Sequence, residues 1–362
     1  MVLQNGNSKQ GIEGFKTQTK LFRLQMKRGI IILTVFTIFA GACSNQKEKG
    51  NTRDDRQSVD SLAYLNNQIS KDSLNASLYH TRADYYLRDG QINLALRDVG
   101  QAMQIASGNP EHLVLLSDIY QKMNKFEDAR GILRKVVDRD MENLAALLRL
   151  AKLELAYKNY KEATKYINRA LSIKPEMAEA WFVKGYINEE QQDTSAAISN
   201  YQEAINRDPS YKDPFLKVGI LLSEKGNNRA VDYFNSALNI DPEDLSTMYL
   251  LGLHYQEQGE YSKAGETYNS IINLDSAYAH AYYNIGYMAL VYDQDYDKAI
   301  DYMTKAIQYN ENYFQAYYNR GYAFELTGQL QDARQNYRQA LKIFPNYEKA
   351  VEGMNRLDNL IR

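Results

Sequence analysis

The chain has 362 residues, of which 30 are tyrosine and one is tryptophan, and its formal net charge is −2 at neutral pH. This charge, with no basic stripe along the sequence, excludes the electrostatic footprint of a nucleic-acid-binding protein. The single cysteine, Cys43, excludes an intrachain disulfide framework and a thiolate-bound metal cluster.

An apolar run lies near the N-terminus. Lys27 and Arg28 precede residues 29–42, GIIILTVFTIFAGA, which end in small residues directly before Cys43. The run has about 12 apolar residues, fewer than the roughly 20 that a membrane-spanning helix needs. A basic start, a short apolar stretch and a small-residue end therefore predict a secretory signal peptide over residues 1–42. Because Met26 directly precedes the basic pair, we interpret residues 1–25 as an upstream extension from a misassigned start.

The end of this run, Ala-Gly-Ala-Cys at residues 40–43, resembles the lipobox of bacterial lipoproteins, although Ala40 stands where leucine is commoner. The resemblance implies cleavage before Cys43, acylation of Cys43 and a lipid anchor in the cell envelope. Ser44, rather than aspartate, implies the outer membrane and leaves the periplasmic or surface face open. Two alternatives remain: an ordinary signal peptide followed by an unmodified cysteine, and an uncleaved anchor.

Small residues then recur with a period close to 34 along most of the chain. The first series is Ala83, Ser117, Ala151, Gly185, Gly219, Gly252, Gly286 and Gly321. The second is Ala95, Ala129, Ala163, Ala197, Ala230, Ala264, Ala299 and Ala333. The third is Ala102, Val136, Ala170, Ala204, Ala237, Ile271, Ala306 and Ala340. Three series with one period indicate an internal repeat.

Between these series the apolar residues follow the helical period, as Leu113, Leu116 and Tyr120 show. Turn signals such as Gly259-Glu260 divide each unit into two halves. Each unit is therefore predicted to be a helix, a tight turn and a second helix, with the small residues where the two helices cross closely. Two units of 33 and 35 residues change length around this turn, so the helices keep their register.

The unit that begins at Ala178 carries Trp181, Gly185, Ala197, Tyr201, Ala204 and Pro209, and this pattern resembles the tetratricopeptide repeat. The resemblance implies an all-α, right-handed α-solenoid. We place repeats 1 to 8 at residues 76–109, 110–143, 144–177, 178–211, 212–244, 245–278, 279–313 and 314–347. We expect a flexible tether over residues 43–57 and capping helices over 58–75 and 348–362.

No motif for catalysis or cofactor binding stands out. The four histidines are far apart, and the phosphate-loop, dinucleotide and nucleophile-elbow motifs are missing from the sequence. Residues 293–297, DQDYD, begin like a calcium loop but lack its glycine and its final glutamate. We therefore predict no enzyme activity, no cofactor and no metal site.

The resemblance also implies a concave groove lined by the first helix of each repeat, chiefly at positions 2, 5, 9, 12 and 13. Tyrosine at position 5 is common in this family and is compatible with simple packing, whereas tyrosine at position 9 replaces the usual asparagine. We predict that aromatic residues at these two positions form a solvated partner-binding groove, and that the combined loss of Tyr287 and Tyr322 barely affects the fold. The predicted groove residues are Phe182, Tyr186, Tyr249, Tyr283, Tyr287, Tyr318 and Tyr322.

These features together predict a non-catalytic scaffold that is similar in plan to envelope repeat lipoproteins. It would bind a protein or peptide segment in the groove and assist assembly of an envelope complex. No repeat pairs lysine at position 5 with asparagine at position 9, which disfavours the carboxylate clamp known in the family. The alternative is a lipoprotein that binds a glycan or small ligand in the tyrosine-lined groove.

The first prediction concerns the anchor. Cys43 is expected to be acylated, because it directly follows an apolar run that is too short to span a bilayer. Palmitate labelling should mark the wild-type protein and leave Cys43→Ala unlabelled. Equal labelling of both, or a mature chain that starts elsewhere, would show that this cysteine is not the anchor.

Overall fold

The computed structural model describes residues 54–360, with side chains from residue 62 onward. The predicted signal peptide, Cys43 and most of the predicted tether lie outside the described residues. Within 54–360 the secondary structure is helical throughout. The helices are α1 (Asp54–Lys71), α2 (Ala76–Arg88), α3 (Ile92–Ile105), α4 (Pro110–Lys122), α5 (Phe126–Arg139), α6 (Leu144–Ala156), α7 (Tyr160–Ile173), α8 (Ala178–Glu190), α9 (Thr194–Arg207), α10 (Lys212–Ser223), α11 (Ala230–Ile240), α12 (Leu245–Glu257), α13 (Tyr261–Leu274), α14 (Ala279–Met288), a π-helix (Ala289–Asp293), α15 (Tyr296–Tyr309), α16 (Phe314–Leu326), α17 (Leu330–Ile343) and α18 (Glu348–Leu360).

These helices form two compact units, residues 54–209 and residues 210–360. The first contains α1 and four helix pairs, from α2/α3 to α8/α9. The second contains four further pairs, from α10/α11 to α16/α17, and ends with α18 packed on α17. One helix pair corresponds to each predicted repeat, so the predicted all-α solenoid is confirmed.

The helix that precedes repeat 1 begins at Asp54, whereas the sequence pattern places its start near Ser58. Residues 54–57 are therefore helical and do not belong to an extended tether. Polar residues prolong an existing helix at little cost once its apolar stripe has nucleated it.

Each helix pair is joined by a turn with one residue in the left-handed region. These residues are Gly90, Asn124, Lys158, Gln192, Gly226, Gly259, Gln294 and Gly328. A left-handed residue ends the first helix and reverses the chain within a few residues. Lys158 adopts φ 59° despite its side chain, which shows that packing of the two helices imposes the turn even where glycine is missing.

The glycines of the first small-residue series lie under a side chain from the second helix of the same repeat. A Cβ placed on Gly185 would lie 2.6 Å from Cδ1 of Tyr201, and one on Gly252 would lie 2.6 Å from Cε1 of Tyr268. These distances are far below van der Waals contact, so only glycine lets the aromatic ring rest on the backbone of the first helix. At Gly185 and Gly252 the small residue thus marks a ring-on-backbone contact, whereas Gly286 lies against Cβ of Tyr302 and Cε of Met303.

In the first three repeats the small residue of the first helix and its partner on the second helix differ in size from those of the later repeats. Here the small residue keeps a Cβ, and the residue sixteen positions later is aliphatic: the pairs are Ala83 and Val99, Ser117 and Leu133, and Ala151 and Ile167. All six side chains are fully buried or nearly so. A larger residue on the first helix is therefore matched by a smaller side chain on the second helix, so that the combined volume of the two side chains fits the same interhelical distance.

The two repeats of unusual length absorb the change differently. In repeat 5, which has 33 residues, α11 begins only at Ala230 and has 11 residues, so the deletion shortens the second helix at the turn. In repeat 7, which has 35 residues, a π-helix over Ala289–Asp293 follows α14. A π-helical turn holds one residue more than an α-helical turn. The extra residue therefore lies in the first helix of repeat 7 rather than in a longer loop.

The second prediction tests the glycine contact. Gly185→Ala should lower the free energy of unfolding by about 1–3 kcal/mol, because the new Cβ would overlap Tyr201. Gly131→Ala is the matched control: this glycine lies within α5 with nothing within 4 Å of its Cβ position. That change should raise stability by roughly 0.5–1 kcal/mol through helix propensity.

Adding Tyr201→Leu to Gly185→Ala recreates the size pair of repeats 2 and 3. The double variant should therefore lose less stability than the sum of the two single changes, as expected for residues in direct contact. Urea unfolding of the four proteins measures this coupling. Strict additivity would contradict the proposed contact.

Candidate functional site

The structure buries most of the predicted groove residues. Phe182 is 1% exposed, and Tyr186, Tyr283 and Tyr287 are each 4% exposed. Tyr249, on α12, is 2% exposed. The expectation that these five rings line a solvated wall is therefore wrong. Large aromatic rings bury extensive apolar surface against each other when neighbouring repeats supply partners.

The remaining two predicted groove residues, Tyr318 and Tyr322 on α16, are only half buried. Their rings are parallel to within 2°, with centroids 6.3 Å apart. Residues four apart on a helix share one face, so both rings belong to one partly open surface in the last repeat. By contrast Tyr282, one position before the buried Tyr283, is 7% exposed, whereas its counterpart Tyr317 in repeat 8 is half buried.

A second set of tyrosines covers position 5, and the sequence reading overlooked it. Tyr283 stacks on Tyr313 with ring centroids 4.7 Å apart, and Tyr249 meets Tyr278 at 5.8 Å. Each covering tyrosine is the last residue of the same repeat, directly before the next first helix. Repeat 8 has the same arrangement, since Tyr347 meets the ring at position 5 at 5.3 Å. The recurrence of tyrosine at the end of repeats 6, 7 and 8 was the available sequence signal.

Asparagines of the following repeat bind the buried hydroxyl groups. Nδ2 of Asn284 donates to the Tyr249 hydroxyl at 3.1 Å, and Nδ2 of Asn319 donates to the Tyr283 hydroxyl at 2.9 Å. All four residues are buried. In this chain asparagine occupies position 6 where the preceding repeat has tyrosine at position 5. The sequences AYYNIGY, residues 281–287, and AYYNRGY, residues 316–322, thus share the asparagine that donates this hydrogen bond to the preceding repeat.

Burial determines the protonation state of this aromatic cluster. It raises the pKa of Tyr278 to about 12 and raises the pKa of Tyr283 and Tyr287 further above the usual value. All three phenols are therefore neutral near pH 7. They provide hydrogen bonds and apolar surface and contribute no charge to recognition.

The charged groups at the open end of this cluster come from the last two helices. Arg356 on α18 donates two hydrogen bonds to the Glu325 carboxylate, at 2.8 and 2.9 Å. Its guanidinium carbon lies 5.7 Å from the centroid of Tyr322. Glu325 also accepts a hydrogen bond from the Tyr337 hydroxyl. The acidic residue at position 12 of repeat 8 is thus neutralised within the protein.

The structure also brings together a serine and a histidine that are 31 residues apart. Oγ of Ser223 lies 2.9 Å from Nδ1 of His254, and the two residues are 3% and 0% exposed. At this burial neither atom contacts a substrate, so the pair connects repeats 5 and 6. Residues 54–360 contain no group of three potential metal-ligating side chains and no helix long and apolar enough to cross a membrane.

The third prediction tests the hydrogen bond between repeats. Tyr283→Phe should lower the free energy of unfolding by about 1–3 kcal/mol, because Nδ2 of the buried Asn319 loses its acceptor. Tyr318→Phe removes the same atom from the equivalent position of a half-buried ring and should cost less. Chemical denaturation measures both variants. If they lose the same free energy of unfolding, the hydrogen bond between Asn319 and Tyr283 does not contribute the expected stability.

Sequence profiles of the tetratricopeptide repeat match residues 128–183, 178–211, 245–278 and 287–348. A TPR repeat-containing protein of Methanocaldococcus jannaschii is 25% identical over 224 residues, which cover 59% of this chain and 33% of that protein. A probable UDP-N-acetylglucosamine–peptide N-acetylglucosaminyltransferase SPINDLY of Hordeum vulgare is 28% identical over 156 residues, covering 41% of this chain and 16% of that enzyme. The chain thus spans a third or less of the length of these two relatives.

Among solved structures, the C-terminal part of a TPR repeat-containing protein from Cytophaga hutchinsonii has the same fold. It has a TM-score of 0.58 and 21% identity, and the match covers 67% of this chain and 99% of that one. Profile matches, the helix pairs and this similarity of fold agree with one another. The chain carries an array of tetratricopeptide repeats, the repeat type whose proteins generally act as scaffolds for protein partners.

Proposed function

We propose that this protein is a non-catalytic scaffold that binds a segment of a partner protein on the first-helix surface of its last repeat. The observation that carries the proposal is the difference in exposure within one set of aromatic residues. Five of the seven rings are buried, whereas Tyr318 and Tyr322 remain half buried and parallel. Partly open tyrosines on a rigid base suit protein recognition, because they combine apolar area with a hydroxyl group at little entropic cost.

The buried tyrosines support this surface. Tyr283 is fixed by stacking on Tyr313 and by the hydrogen bond from Asn319. Asn319 follows Tyr318 directly in α16, so the same bond also fixes the helix that carries the open rings. A preorganised surface loses little conformational entropy on binding. The partner should therefore offer an apolar or aromatic group with hydrogen-bonding atoms beside it.

We further propose that the scaffold acts at a bacterial cell envelope, held by a lipid on Cys43. The support is the basic, apolar and small-residue order of residues 27–43, which also carries the resemblance to the lipobox. Assembly of an envelope complex is the role that fits an anchored, non-catalytic repeat protein. The labelling of Cys43 described above tests the anchor independently of the groove.

The fourth prediction tests the binding surface with a site-specific photo-crosslinking amino acid. Introduced at Tyr322, it should yield a discrete adduct in the native host. Introduced at Tyr309, which is 40% exposed at the end of a second helix, it should not yield the same adduct. Tyr318→Ala should weaken the crosslink at position 322, consistent with a loss of about 2 kcal/mol for an aromatic hot spot.

Two outcomes would contradict the proposal. One is the same adduct from positions 309 and 322. The other is an undiminished adduct in a folded Tyr318→Ala variant. Parallel tyrosine rings also suit stacking on a sugar ring, so a glycan array with the same Tyr318→Ala variant is the companion measurement. Binding there without a protein adduct would favour a glycan-binding role.

A further inference from the structure

A pair of histidines joins the first two repeats. Nδ1 of His80 on α2 lies 3.0 Å from Nδ1 of His112 on α4. The ring centroids are 5.0 Å apart with planes inclined by 38°. This separation places the rings nitrogen to nitrogen, as in an N–H···N hydrogen bond, and not face to face.

The pair lines a cavity between the starts of α2 and α4 and the end of α3. His112 is 3% exposed, and its Nε2 makes no hydrogen bond within the part of the chain that the structure describes. His80 is half buried. The other ionisable residues that line the cavity are Asp72, from the turn before α2, and Glu111 on α4. The end of α3 contributes no ionisable side chain to the lining.

The contact requires one proton between the two facing nitrogens, because one must donate and the other must accept. When Nδ1 of His80 donates and Nδ1 of His112 accepts, a proton added at Nδ1 of His112 breaks the hydrogen bond, because the contact then has two donors and no acceptor. A positive charge on both rings at this short distance would add electrostatic repulsion.

From this geometry we propose that His80 and His112 form an acid-sensitive joint, which holds repeat 1 on repeat 2 near neutral pH and releases it in acid. In a helical-repeat protein each repeat contacts only its neighbours, so the loss of one such contact acts at one junction. The released face is apolar, since Leu115 and Ile119 of α4 pack with Tyr86 and Val99 of repeat 1. Acid would therefore expose a hydrophobic surface within the first unit.

The direction of the pH effect follows from the surroundings of His112. Burial lowers the pKa of His112, the charge of His80 lowers it further, and Glu111 opposes both effects. The pKa in the folded protein is thus below the value of about 6.5 expected in the unfolded chain. The joint is at full strength above that value and weakens as the pH falls through the pKa of folded His112.

The experiment combines two measurements on the full chain at pH 7 and pH 5. Histidine NMR titration should place the transition of His112 below the ordinary histidine value of about 6.5. Hydrogen exchange, corrected for intrinsic rates, should be faster in residues 76–105 at pH 5 than at pH 7, because protonation of His112 opposes the folded contact. Residues 314–343 should change little.

Variants separate this joint from a general effect of acid. His80→Gln keeps a hydrogen-bonding group beside His112 but cannot become charged, so it should remove most of the acid response and raise the pKa of His112. His280→Gln is the matched control, because His280 is also partly buried and its Nδ1 lies 3.0 Å from the Tyr313 hydroxyl. The proposal is overturned if the rings titrate together near the ordinary value, or if His280→Gln blunts exchange in residues 76–105 as much as His80→Gln. If His80→Gln fails to fold, the wild-type titration alone decides.

Discussion

The contact between a small residue on each first helix and a large side chain on its second helix sets the spacing on which all other packing depends. At Gly185 and Gly252 an aromatic ring lies directly on the backbone of the first helix. The contact also defines one side of the last helix, because a Cβ on Gly353 of α18 would lie 2.6 Å from Cε2 of Tyr337. One ring therefore separates two helices that both need glycine. Interior packing at this density leaves no room for even one added carbon.

Neighbouring repeats are joined by two kinds of contact, buried ion pairs and tyrosine layers. In residues 54–209 buried ion pairs are prominent: Glu154 is fully buried and accepts hydrogen bonds from Arg130, Arg134 and Asn159. Asp118 likewise binds Arg149 of the next repeat at 2.8 Å, and burial still raises the pKa of Asp118. Buried pairs of this kind fix a register more than they add stability, since desolvation opposes their attraction.

In residues 210–360 tyrosine layers fill the equivalent places. Neutral phenols such as Tyr249 and Tyr283 need only one partner each, which the asparagine of the next repeat provides. The aromatic area buried by each ring then adds hydrophobic stabilisation of about 25 cal/mol per Å². Most of the tyrosines that suggested a binding groove therefore pack between repeats. Among the predicted groove residues, only the pair in the last repeat is partly open.

The sequence alone determined the period, the helix pairs, the position of each turn and the class of fold. It did so because glycine and alanine at a fixed spacing, such as Gly185 and Ala197, reflect steric limits that act within one repeat. It also located Cys43 and the apolar run before it, which the described residues do not reach. Only the tertiary structure decided which tyrosines are accessible. The exposure of a tyrosine at position 5 or 9 depends on side chains from the end of the same repeat and from the first helix of the next repeat. The partners of Tyr283, namely Tyr313 and Asn319, are 30 and 36 residues away, and a helical pattern read along one repeat carries no information about contacts at that separation.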